Sequence, residues 1–129
     1  MNYMGYGRYD SEDRKELAQW AKDNGMKRFH YMNAFIVNWH DCQDFYSYRS
    51  RIARYWYRTG ILEVDIDLFD CSVSTRKQFG RWLQECGYGT YGEVAGFAAK
   101  ERKAQDAMYV PEPTGQVFVT SVGQKVTFI

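Results

Sequence analysis

Ser74 and Lys77 stand one helical turn apart in the stretch "SVSTRK". At that spacing a serine hydroxyl and a basic partner can form a nucleophile pair. Penicillin-recognising acyl-transfer enzymes use it together with Ser-Asp-Asn and Lys-Thr-Gly elements, and neither tripeptide occurs in the chain. The stretch also lies where an alternating apolar run ends and an amphipathic one begins. A Ser or Thr side chain there accepts a hydrogen bond from a free backbone N–H. The expectation is therefore a helix cap supplied among Ser72, Ser74 and Thr75, with Ser74 turned onto its own helix and Lys77 pointing to solvent or a carboxylate. No catalytic residue is assigned. A helix start carrying Arg76 and Lys77 also has the charge to hold a phosphate or carboxylate.

A second cluster, His40-Asp41-Cys42 with His30 ten residues back, offers metal-ligand types. Zinc sites use ligands in close pairs such as Cys-x-x-Cys, which the chain lacks. The remaining cysteines, Cys71 and Cys86, are too scattered for a disulfide framework. Neither a metal nor a cofactor is expected.

The third candidate is "FYSYRSRIARYWYR", residues 45–58, where arginines alternate with aromatics. Cations for phosphates and rings for bases are what a single-stranded nucleic-acid platform requires. The candidate binding residues are Tyr46, Arg49, Arg51, Arg54, Tyr55, Tyr57 and Arg58, joined by Arg76 and Lys77. Against nucleic acid stands the acid count: residues 44–70 hold four Arg and five Asp plus Glu. With a two-residue Thr59-Gly60 turn, Arg58 faces Ile61, Trp56 faces Glu63 and Arg54 faces Asp65. Glu63 is then diagonal to both Arg54 and Arg58, and opposite charges across strands offset each other.

The elements that position these residues read as one α+β domain spanning 1–129, with an antiparallel sheet of about four to five strands and about three helices. Residues 1–9, with Tyr3, Tyr6 and Tyr9 around two glycines, read as a flexible arm whose rings dock on the core or on a target. A helix follows, capped by Asp10 or Ser11, buried along Leu17, Trp20 and Ala21, and stopped by Gly25. From Met26 the pattern has period two through Phe29, Tyr31, Phe35, Val37 and Trp39, with a break near Asn33. A turn at 40–44 leads to a strand from Phe45 to Tyr57. Leu62, Val64, Ile66 and Leu68 form the apolar side of the next strand. A helix from Ser74 to Cys86 buries Phe79, Trp82, Leu83 and Cys86 and stops at Gly87. Thr90 and Glu93 form a capping box for a third helix reaching Met108. "QVFVTS" and "KVTFI" close the chain as a hairpin.

The 129 residues carry 17 Lys plus Arg and 16 Asp plus Glu, a balance unlike that of a general nucleic-acid binder. Aromatics make up 18% of the chain, enough for a core of large side chains and for a contact surface. No signal peptide or membrane-length apolar run is seen, so a cytoplasmic setting is expected.

"YSYRSRIARYW", a hydrophobic strand and "FDCSVSTRKQFGRWL" together resemble a group of small bacteriophage proteins of unknown function. Their pattern is roughly Ser-Tyr-x-Thr-x-Ile-Ala, a short hairpin, then an aromatic and Ser-x-Thr-Thr-x-Lys-His-x-x-x-Phe-Leu. Ser47, Tyr48, Ile52 and Ala53 match the first part, and Ser72, Thr75, Lys77 and Leu83 the second. Ser50, Ser74, Gln78, Cys71 and Trp82 depart from it, and Gln78 removes a general-base role where the group has histidine. The resemblance covers about a third of the chain. It implies a hairpin feeding a capped helix and no reaction. It also implies a setting: a non-enzymatic accessory protein that binds and inhibits a host protein in the infected bacterial cell, such as a defence (anti-CRISPR-like) factor. The alternative is a single-stranded nucleic-acid or nucleotide-binding module. No membrane partner is expected, and a homo-oligomer is allowed.

Overall fold

Leu17 and Ala21 lie one helical turn apart, and Trp20 completes a stripe narrow enough to seat a helix on one side only. In the computed structural model, which describes residues 6–129 and the side chains from Arg14 onward, that helix is α1, Tyr6–Asp23. It begins inside the expected arm and ahead of the expected Asp10 or Ser11 cap. The expected docking of Tyr3, Tyr6 and Tyr9 falls outside the described side chains. Gly25, with φ of 69°, ends the helical region as anticipated.

The period-two run after Met26 does break, and its halves pair with each other. Strand β1 (Lys27–Arg28) lies antiparallel to β2 (Ala34–Asn38), with Arg28 opposite Phe35. Phe29 and Phe35 are buried, but Tyr31 falls in the connecting turn and is exposed, as is Trp39 beyond β2.

The expected strand from Phe45 to Tyr57 is two strands. Strand β3 (Cys42–Ser47) and β4 (Ser50–Trp56) form a hairpin with Ser47 opposite Ser50 around Tyr48 and Arg49. Their register shifts between Phe45 and Tyr46, which pair with Ala53 and Arg51 and leave Ile52 as the extra residue. Strand β5 is Ile61–Val64, shorter than expected because Asp65 turns the chain: its Oδ1 accepts from the N–H of Asp67 and Leu68 at 3.0 and 3.1 Å. Arg54 faces Glu63 and Tyr55 faces Leu62, so the loop between β4 and β5 spans 57–60 instead of two residues. The difference of two positions keeps each side chain on its expected face while changing its partner.

Helix α2 (Val73–Cys86) follows, then α3 (Tyr91–Met108). The closing hairpin is β6 (Phe118–Val119) with β7 (Lys125–Phe128). Strand β7 pairs parallel to β5, which extends the sheet to seven strands in the order β1-β2-β3-β4-β5-β7-β6. The α+β class stands, with more strands than expected and one parallel pair.

The sheet carries different loads on its two faces. Phe45, Ala53, Leu62, Val64 and Val126 pack against Phe79, Trp82 and Leu83 of α2 and Val94 and Ala98 of α3. Much of the aromatic surplus is here: Phe45 stacks on Trp82 with ring centroids 4.9 Å apart. On the other face the described side chains of α1 cover the β1–β3 end, where Leu17 and Ala21 meet Phe35, with Trp20, Met26 and Tyr46 around them.

Candidate functional site

Beyond the reach of α1, the outer sheet face is organised around one carboxylate. Asp44 shares a face with Tyr46 and lies opposite Arg54 on β4. The bulge at Ile52 places Ile52 and Ala53 both in the core and leaves Arg51 and Arg54, on either side, aimed at the same acid. Arg54 donates from Nε to Asp44 Oδ1 at 2.7 Å and from Nη2 to Oδ2 at 2.9 Å, a bidentate pair. The Trp39 indole N–H donates to Oδ2 at 2.9 Å, and Arg51 Nη1 lies 3.9 Å away. Asp44 itself is 1% exposed. A carboxylate that deep is tolerated because its charge is paired and its lone pairs are filled. The bond to Asp44 pushes the Arg54 guanidinium still further above its ordinary pKa, so it stays charged.

The neighbouring rings are held in the same way. The Arg54 guanidinium sits 5.1 Å from the Trp56 ring centroid, and the Trp56 indole N–H donates to Glu63 at 2.9 Å. Trp39 remains half exposed despite its bond. The result is a fixed surface of rings and guanidinium planes whose polar ends are engaged within the protein.

The sequence candidates divide among separate places. Arg51 and Arg54 belong to this face, but their partner is Asp44, on the strand opposite to the one expected to supply the acid. Tyr46 lies at the α1 edge, its ring 6.2 Å from that of Trp20, and Arg49 covers Trp20 at 5.2 Å. Tyr55 points to the helix side of the sheet and stacks on Tyr88 at 4.6 Å, so it is no part of the platform. Tyr57, beyond the strand, meets Tyr55 edge-on at 6.0 Å, and Arg58 is exposed in the loop. Arg76 and Lys77 are on α2, across the sheet from Arg51 and Arg54.

At the start of α2 the capping oxygen belongs to Ser72, which accepts from Thr75 N–H at 3.1 Å. Ser74, expected to turn onto its own helix, is exposed in the first turn, and Lys77 is exposed as well. Thr75 turns inward to a buried polar knot: its hydroxyl is 2.8 Å from that of Ser47, which donates to Gln78 Oε1 at 2.6 Å. This knot ties the β3–β4 hairpin to α2. Cys86, expected on the buried face, is exposed, whereas Gln78 and Thr75 are buried.

His30 lies away from the turn at His40 and bonds Glu85 at 2.6 Å. The Arg81 bond, and secondly that of His30, hold Glu85 below the ordinary carboxylate range. Cys42 is buried, and that burial pushes its thiol up, the wrong direction for a nucleophile. Among the described residues no group of three His, Cys, Asp or Glu could hold a metal ion, and no helix is long and apolar enough to cross a membrane.

Sequence reasoning missed Asp44, Trp39 and Trp56. The signal for Asp44 was its spacing from Cys42 and Tyr46, an acid on the half-buried side of a strand. It was hidden because residues 40–44 read as a turn. No protein-family model matches the chain, and no curated protein or solved structure does so either.

Proposed function

We infer that the protein is a non-enzymatic, phage-type accessory protein that acts in the cytoplasm of the infected cell by binding, and so inhibiting, a host protein such as a defence factor. The binding surface in this reading is the outer sheet face around Asp44. The observation that carries it is the engagement of Arg54 and Trp39 by the buried Asp44 and of Trp56 by Glu63, with Arg51 3.9 Å from Asp44. Trp, Tyr and Arg dominate the energetics of protein interfaces. Side chains already locked in place lose less freedom on binding. Paired guanidiniums favour a protein partner over a phosphate backbone, whose affinity rests on unpaired cations. The small-phage-protein resemblance of Ser47, Tyr48, Ile52, Ala53, Ser72, Thr75 and Lys77 supplies the setting.

The test is affinity purification from bacterial lysates with the wild-type chain and a Trp39→Ser/Arg51→Glu variant, both checked for folding by circular dichroism. A partner retained by the wild type and lost by the folded variant supports the reading. A partner retained equally by both removes this face from it. Single-stranded oligonucleotide recovered in place of protein would favour the nucleic-acid alternative.

A further inference from the structure

Across the sheet from Asp44, α2 and the start of α3 border an open groove of about 610 Å3. That volume is within the range of small-ligand pockets. Its basic wall comes from α2, where Arg76, Lys77 and Arg81 follow one another around the helix. Its opposite wall is the first turn of α3, Thr90, Tyr91 and Gly92. Gly80 lies at the floor beside Tyr91, where even a Cβ would make only ordinary contact, 3.4 Å from the Tyr91 Cβ.

The charges of this groove are not engaged as those around Asp44 are. Arg81 is held by Glu85 at 2.9 Å. Lys77 has no partner among the described residues, and Arg76 has only a 3.4 Å bond to the Asp70 carbonyl. Among the described residues no acid lines the groove. Glu93, just outside the lining, accepts from Thr90 N–H at 3.2 Å and Ser121 N–H at 2.7 Å. The first-turn N–H groups of Tyr91 and Gly92 have no carbonyl a turn back to accept from them. Two cations with no carboxylate bond among the described residues, lining one groove with two first-turn backbone donors, suit a dianion with several acceptor oxygens. Exposed Val73 lines the same groove and leaves an apolar wall for the rest of such a ligand.

We propose that this groove binds a small phosphate-bearing ligand of nucleotide size, at a site separate from the protein-contact face. The test is a 1H–15N NMR titration of the full chain with adenosine monophosphate at low salt, beside a glutamate-rich peptide as the carboxylate control. The expected result is saturable shifts at Lys77, Gly80, Tyr91 and Gly92, with a dissociation constant on the order of 1 mM or tighter. In an Arg76→Gln/Lys77→Gln variant, whose remaining spectrum reports an unchanged fold, affinity should fall about tenfold or more. No saturable shift in the groove, equal affinity in the variant, or tighter binding of the peptide than of the nucleotide would each overturn the proposal. None of these outcomes depends on whether the outer sheet face binds a host protein.

Discussion

Arg51 and Arg54 on one side of the sheet and Arg76 and Lys77 on the other are similar in the sequence and opposite in circumstance. The first pair converges on a buried carboxylate that also holds an indole, so its charge is internal to the fold. The second pair stands on a helix surface beside a groove with no acid in it. The difference lies in the neighbours and not in the arginines. Asp44 makes a basic, aromatic strand into a rigid and nearly neutral surface, while the absence of an acid in the groove leaves free charge there. Counting arginines along the chain therefore merges two surfaces suited to different partners.

The comparison breaks if Asp44 is not what holds the outer face. Asp44→Ala strands the Arg54 guanidinium and the Trp39 indole, and should cost about 3 kcal/mol or more in urea denaturation. A loss under about 1 kcal/mol, the size expected of a surface pair, would mean the arginines are free after all. A second buried carboxylate sharpens the point. Glu101 is fully buried yet takes neutral donors, Thr114 N–H and Thr114 hydroxyl, each at 2.8 Å. Glu101→Leu should cost about 2 kcal/mol by orphaning those donors. Limited proteolysis should then show faster cleavage within 109–117, the segment Glu101 pins to α3.

Next in size is the cap that bounds the basic groove. Ser72→Ala should lower stability by about 1 kcal/mol, whereas Ser74→Ala should stay within about 0.5 kcal/mol. Equal effects in thermal melts would return the cap to Ser74. The smallest effect concerns Glu93, held below the ordinary carboxylate range first by its bond from the Ser121 backbone and then by those of Thr90. Because its folded value is depressed, its contribution is present above the unfolded value of about 4.3 and is lost as pH falls through the folded value. Glu93→Gln should therefore lower stability slightly at neutral pH, where the ionised carboxylate contributes, and flatten the fall below about pH 4.3, with variant and wild type converging at lower pH.

Much of this architecture was legible where local chemistry and tertiary demand agree. The Thr90–Glu93 capping box, the Gly25 and Gly87 stops and the inward parity of Leu62 and Val64 all appear as read, because each is decided within a few residues. The β3–β4 hairpin was not legible. Its turn at Tyr48 and Arg49 lacks the glycine or asparagine that usually marks a reversal, and Tyr48 adopts a φ of 54° without either. The bulge at Ile52 then breaks the alternation within β4 by burying Ile52 and Ala53 together, while Asp44 was lost to the turn read at 40–44. The parallel pairing of β7 with β5 joins residues some sixty positions apart, a distance over which periodicity carries no information. The candidate site failed for the same reason: its acid and its arginines lie on two strands read as a turn and a single strand.

The account turns on which side of the sheet meets the partner. The most direct measurement is the dissociation constant, by calorimetry, of the captured host protein for two folded variants side by side, Trp39→Ser/Arg51→Glu and Arg76→Gln/Lys77→Gln. The outer-face variant should bind at least about a hundredfold more weakly, as expected for the loss of central aromatic and arginine contacts, and the groove variant should match the wild type. The reverse order, with binding lost through the groove and preserved without Trp39 and Arg51, would contradict it.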